Sequence, residues 1–144
     1  MANIGYLQVT RKCNQKCLFC SNPENENHLT FEDAKEAVAQ LKAKGHDGVI
    51  LTGGEPTLYE HLEPLVSYCS ATDIVPRIIS NGQSLKDFDF FVKLVEAGLG
   101  HVHLSIHSYV PKIQEYLAQT ENSLQNLSRT LENAQKLGVS VNVN

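Results

Sequence analysis

The chain has 144 residues, with 12 Lys and Arg against 16 Asp and Glu, a net charge of −4, and 42% hydrophobic residues. That is the length and apolar content of one globular domain; it excludes a disordered tail, and the net acidity argues against a basic nucleic-acid arm or a polycationic membrane surface. No apolar run approaches the about twenty residues of a membrane span. Met1 to Thr10 carries no basic residue ahead of its apolar ones, so no secretory signal is expected and the location is read as cytoplasmic.

Ile4 to Thr10 alternates, with Leu7 and Val9 on one face and Tyr6, Gln8 and Thr10 on the other, which predicts a first strand. It leads into a loop holding Cys13, Cys17 and Cys20. Thr30 and Asp33 resemble a capping box, and Phe31, Ala34, Val38 and Leu41 follow at helical spacing until Gly45. Val49 to Thr52 is a short apolar run ending at Gly53-Gly54, the pattern of a strand buried on both faces. Leu62, Leu65, Val66 and Cys69 mark a second helix, and Val75 to Ser80 a third strand closed by Asn81-Gly82. A third helix is striped by Phe88, Phe91 and Val95 and ends at Gly98.

Val102, Leu104 and Ile106 alternate with His101, His103, Ser105 and His107, giving a fourth strand with one apolar and one polar face. Pro111 opens a short helix, and Leu124, Leu127, Leu131, Ala134 and Leu137 stripe a long one ending at Gly138. Val139, Val141 and Val143 then alternate with Ser140, Asn142 and Asn144 as a fifth strand. Strict βα order implies a parallel sheet with right-handed crossovers. Doubly wound sheets cover both faces with helices and need strands that are apolar throughout; the polar rows on strands four and five therefore favour a partial (β/α) barrel with helices outside. His103, Ser105, His107 and Asn142 should then face its lumen.

Three cysteines within eight residues point to a metal or redox site, since four in all are too few for a disulfide scaffold. The C-x3-C-x2-C run suits a cluster, because three thiolates leave one iron of a four-iron cluster open to an outside ligand; free thiols, or a zinc site completed by His28, are the alternatives. Arg11, Lys12 and Lys16 beside the thiols are expected to lower their pKa values. Cys69, on the apolar stripe of a helix, reads as a buried inert thiol. His101 and His103 read as polar packing or substrate contacts rather than metal ligands.

The C-x3-C-x2-C loop after strand one, with Phe19 before its third cysteine, and Gly53-Gly54-Glu55-Pro56 after strand two together resemble the radical S-adenosylmethionine (radical SAM) superfamily along essentially the whole chain. The resemblance implies a 4Fe-4S cluster on Cys13, Cys17 and Cys20, with S-adenosylmethionine chelating the open iron. It implies that Gly53, Gly54, Glu55 and Pro56 hold the methionine ammonium, through backbone carbonyls and the Glu55 carboxylate. Ser80, Asn81, Ser105 and His107 would meet the ribose and carboxylate, and the backbone of Phe19 the adenine. The implied activity, of oxidoreductase or transferase type, is reductive cleavage of S-adenosylmethionine to a 5′-deoxyadenosyl radical that abstracts hydrogen from a substrate, fed by an electron donor such as flavodoxin or ferredoxin.

The two glycines are expected to let backbone approach the ligand, so that Gly54→Val weakens cofactor binding without unfolding the chain. Glu55, taken as an exposed or partly exposed charge contact, is expected to contribute less, about 1 kcal/mol or below. Residues 1–144 read as one core domain of about four and a half βα units where six are usual, which implies a native chain that is longer or self-association through an open sheet edge. A non-catalytic fragment or binding module of this fold, or a zinc-binding α/β regulatory domain, are the competing readings. No substrate is assigned.

Overall fold

The structure is a computed structural model describing residues 2–144. Five strands, β1 (Ile4–Thr10), β2 (Gly48–Gly53), β3 (Val75–Ser80), β4 (His101–Leu104) and β5 (Ser140–Val143), form one parallel sheet in the order β1-β2-β3-β4-β5. Each strand pairs with the next in sequence, so the chain winds in one direction and the order never reverses as it does in a doubly wound sheet. The sheet is not closed. The expectation of a partial barrel is met.

Helices α1 (Phe31–Ala43), α2 (Leu62–Ala71), α3 (Phe88–Glu96), α4 (Pro111–Ala118) and α5 (Ser123–Leu137) connect the strands. The Thr30 hydroxyl accepts from the Asp33 N–H at 3.1 Å to start α1, and the Asp87 carboxylate accepts from Phe90 N–H at 3.0 Å to start α3. Pro111 opens α4, and Gly138, at φ +68°, closes α5 in the left-handed conformation that costs glycine least. The helices pack on the sheet face that carries Val9, Leu51, Ile78, Val102 and Leu104, all buried. Each such aliphatic side chain contributes about 1.5–3 kcal/mol by leaving water. Among the described residues no helix is long and apolar enough to cross a membrane.

Three expectations are corrected. Strand β4 stops at Leu104, three residues short of His107, although ladder-like hydrogen bonds continue from Ser105 N–H to Ser80 O and from Ile106 N–H to Asn144 O. The α3 stripe buries Phe91 and Leu94, while Phe88, in the first turn, is exposed. On α5 the buried face runs through Leu127, Thr130, Asn133 and Ala134, and Leu131 is exposed. Its polar members satisfy the loop after β3: Thr130 Oγ1 donates to Gly82 O at 2.6 Å, and Asn133 Nδ2 to Leu85 O and Lys86 O at 3.0 Å each. Those carbonyls have left the sheet and need donors, which an all-apolar stripe cannot provide.

Candidate functional site

The carboxyl ends of β1, β2 and β3 bring the two motifs together. After β1 the chain leaves the sheet as a long loop that returns at Leu29, whose N–H donates to Val9 O at 2.9 Å; Arg11 N–H donates to Asn27 O at 2.8 Å. The N–H of Gly54 donates to Thr10 O at 2.8 Å and that of Glu55 to Lys12 O at 2.7 Å, so the end of β2 grips the root of the cysteine loop. This contact explains both glycines. A Cβ on Gly53 would collide with the Thr10 carbonyl, and one on Gly54 with the Lys12 carbonyl and, at 2.7 Å, with Arg11 O. The space a Cβ would take is filled by protein backbone, which corrects the expectation that Gly54→Val would spare the local structure.

Glu55 is 1% exposed, which corrects the expectation of an exposed or partly exposed charge. Its Oε1 accepts from Thr57 N–H at 3.1 Å, from the Thr57 hydroxyl at 2.7 Å and from the Ser80 hydroxyl at 2.8 Å; Oε2 accepts from Asn81 N–H at 2.7 Å. Burial pushes the carboxyl up from its ordinary range, and the hydrogen bonds from Thr57, Asn81 and Ser80 counter that shift. Glu55 also caps the short 3-10 turn Pro56–Leu58. Thr57 is a site residue that the motif alone does not single out, although a carboxylate followed by Pro and Thr is a readable start signal for a turn.

Asn81 carries the network to the cysteine loop. Its Nδ2 donates to Asn14 Oδ1 at 2.7 Å and lies 3.9 Å from Cys13 Sγ. Cys13, Cys17, Cys20, Gly53 and Gly54 line one cavity of about 320 Å³, together with Lys16 and Glu24. Cys13 and Cys17 are half-buried and Cys20 exposed. Burial pushes the Cys13 and Cys17 thiols up, and the neighbouring thiols add to the rise, as does Glu55 at Cys13. The expected lowering by flanking bases is not found: desolvation is the largest influence on both thiols and no base is among the groups acting on them, the Arg11 guanidinium donating to Pro23 O at 2.8 Å. Burial pushes Cys69, on the inner face of α2, up to about 12.

The cysteine loop also touches α4. Leu18 N–H donates to Leu117 O at 3.0 Å, and the Phe19 ring meets His107 edge-on with centroids 4.4 Å apart. His107 is exposed at this contact, and its N–H and that of Ser108 are accepted by the buried Gln114 Oε1 at 2.8 and 3.0 Å. Gln114 has no sequence signal beyond being a polar residue in a helix. Ser105 is half-buried beside Ser80 through the backbone bond between them.

The donor set fits a thiolate-bound cluster: three soft ligands on one loop, facing one cavity. Among the described residues no three His, Cys, Asp or Glu side chains are already gathered around a single point. His28 lines clefts with Thr10 instead of the cysteine cavity, and its Nδ1 sits 3.1 Å from Glu26 O, so the Cys3His alternative is not assembled.

An open parallel (β/α) sheet with a three-cysteine loop braced by a glycine pair at its carboxyl edge defines a partial-barrel domain with three thiols beside one cavity. Residues 7–144 match the family model of the radical SAM superfamily, and the chain belongs to that superfamily, whose enzymes use a 4Fe-4S cluster and S-adenosylmethionine. It is 33% identical to the GTP 3′,8-cyclase of Aquifex aeolicus (strain VF5) over 96% of this chain and 45% of that protein. It is 30% identical to the Fe-coproporphyrin III synthase of Methanosarcina barkeri (strain Fusaro / DSM 804), over 92% of this chain and 34% of the other. The chain thus spans less than half the length of these relatives. Streptococcus suis SuiB bound to S-adenosylmethionine has the same fold, with a TM-score of 0.82 over 99% of this chain and 33% of that one at 23% identity. Methylornithine synthase (PylB) superposes with a TM-score of 0.79, over 99% of this chain and 44% of that chain at 23% identity.

Proposed function

We propose that residues 1–144 form one radical SAM core unit in which Cys13, Cys17 and Cys20 hold a 4Fe-4S cluster and the cavity they share with Gly53-Gly54 receives S-adenosylmethionine. The supporting observation is that shared cavity, which joins two motifs 33 residues or more apart in sequence on one wall. When bound, the cluster and S-adenosylmethionine supply a one-electron cleavage that delivers a 5′-deoxyadenosyl radical for hydrogen abstraction. The chain's own residues hold and orient. Gly53, Gly54 and Pro56 shape the β2 side of the site, and Glu55 fixes Ser80 and Asn81 beneath the cysteine loop. Phe19, His107 and Ser105 border it from the β4 side.

A GTP cyclase and a porphyrin synthase among the relatives act on unlike molecules, so family membership does not choose the substrate. An electron donor of the flavodoxin or ferredoxin type fits the half-exposed thiol loop, and a cytoplasmic setting keeps such thiols reduced. The unpaired side of β5, where Val143 is exposed, offers an edge to another strand, from the remainder of a longer protein or from a second copy. The test is anaerobic reconstitution with iron and sulfide, metal analysis, calorimetry with S-adenosylmethionine and, after reduction, a 5′-deoxyadenosine assay. A zinc-filled loop that takes up no iron would sink the reading.

A further inference from the structure

The sheet face turned away from the helices holds a second cluster that the cysteine site does not use. The register places Arg77 beside His101 and Ile79 beside His103, with Asn142 across from His103 on β5. These side chains alternate with the buried Ile78, Val102 and Leu104 and so lie on the inner face. No Asp or Glu occurs anywhere in the five strands, and Arg77 has no ion-pair partner among the described residues. Arg77 Nε and His103 Nε2 are both buried with no hydrogen-bond partner among the described residues. A half-buried guanidinium with unused donors, flanked by two imidazoles in a chain whose net charge is negative, is an arrangement that a bound anion would satisfy. Burial and the Arg77 charge lower the pKa of both histidines, so Arg77 lies within electrostatic reach of each. The same charge makes the pair a poor cation site.

We propose that Arg77, His101 and His103 form a subsite for an anionic group, a phosphate or a carboxylate, on the inner face of the sheet. That the anion belongs to the substrate rests on the radical SAM function proposed for the cysteine cavity; that the site binds anions does not. Arg77 lies three residues along β3 from Ser80, about 10 Å below the carboxyl edge where the cysteine cavity opens. A small anionic molecule anchored there would extend toward that edge.

The experiment is a titration of the cluster-free 144-residue chain with inorganic pyrophosphate and, separately, with succinate, read by NMR of the histidine ring protons at pH 7.5. Saturable shifts of His101 and His103, with His28 and His61 unmoved, are expected, and Arg77→Gln should weaken binding at least about tenfold. Arg77→Lys, which keeps the charge and loses the fork, should fall between. Tighter binding of pyrophosphate assigns a phosphoryl group and tighter binding of succinate a carboxylate. Neither probe moving the two rings, or equal binding by a folded Arg77→Gln chain, overturns the proposal; should that variant misfold, Arg77→Lys takes its place, and undiminished binding by it overturns the proposal equally. Because no cluster or S-adenosylmethionine is present, failure of the cofactor reading leaves this result unaffected, and the reverse holds.

Discussion

The main-chain N–H of Asn81 donates to Glu55 Oε2 at 2.7 Å, tying the end of β3 to the turn that follows β2. From Asn81 the side-chain amide continues to Asn14 on the cysteine loop. One buried carboxylate thus sets the relative position of the three loops that surround the candidate site.

Glu55→Ala should therefore destabilise the chain by about 2–4 kcal/mol, because it strands four hydrogen-bond donors around a buried void. Urea denaturation checks this. A loss of about 1 kcal/mol or less would mean that the carboxylate acts as a solvated contact after all.

The cysteines should separate cleanly. After anaerobic reconstitution, Cys13→Ala, Cys17→Ala and Cys20→Ala should each lose iron and sulfide, while Cys69→Ala, buried in α2, should retain both. Equal loss in all four variants would remove the assignment.

Gly54→Val is expected to disturb the cysteine loop before any cofactor is added. Its new side chain meets the Arg11 and Lys12 carbonyls, so the melting temperature of the cluster-free chain should drop and iodoacetamide labelling of Cys13 and Cys17 should accelerate. A variant with native stability and native labelling, but weaker S-adenosylmethionine binding, would restore the simpler view of Gly54 as a ligand-facing position.

Period and punctuation make the strand and helix order readable: Thr30 and Pro111 each start an element, by a local hydrogen bond and by a fixed φ. The polar rows on β4 and β5 point to the open inner face. What stays hidden in the sequence depends on partners distant along the chain. Nothing near Glu55 announces that Ser80 and Asn81, 25 and 26 residues away, will bury it. Spacing puts Thr130 between Leu127 and Ala134 on the buried face and Asn133 at its edge, but their polar type conceals this, and the loop they satisfy is identifiable only once α5 is packed on it. The direction of the thiol pKa shifts is hidden for a related reason: adjacency in sequence suggests the bases as the main influence, whereas burial in the folded loop is the larger one.

Stability should decline as pH falls through the histidine range. In the folded chain the pKa values of His101 and His103 lie below the ordinary 6.5, through burial first and the Arg77 charge second, with His101 also acting on His103. The unfolded chain then binds protons that the folded chain refuses. Their contribution is complete above about pH 6.5 and is lost as pH falls through the lowered folded values. Glu55, with its raised pKa, works in the opposite sense at lower pH, favouring the folded state as its carboxyl takes up a proton. The two effects are separated by variant comparison: His103→Asn should flatten the decline in melting temperature between about pH 7.5 and 5.5, and Arg77→Gln should flatten it by relieving both rings. Melting curves of the three chains across that range decide it. Parallel pH profiles for all three would show that these histidines titrate as they do in the unfolded chain, and that the inner face is wetter than its buried Nε atoms imply.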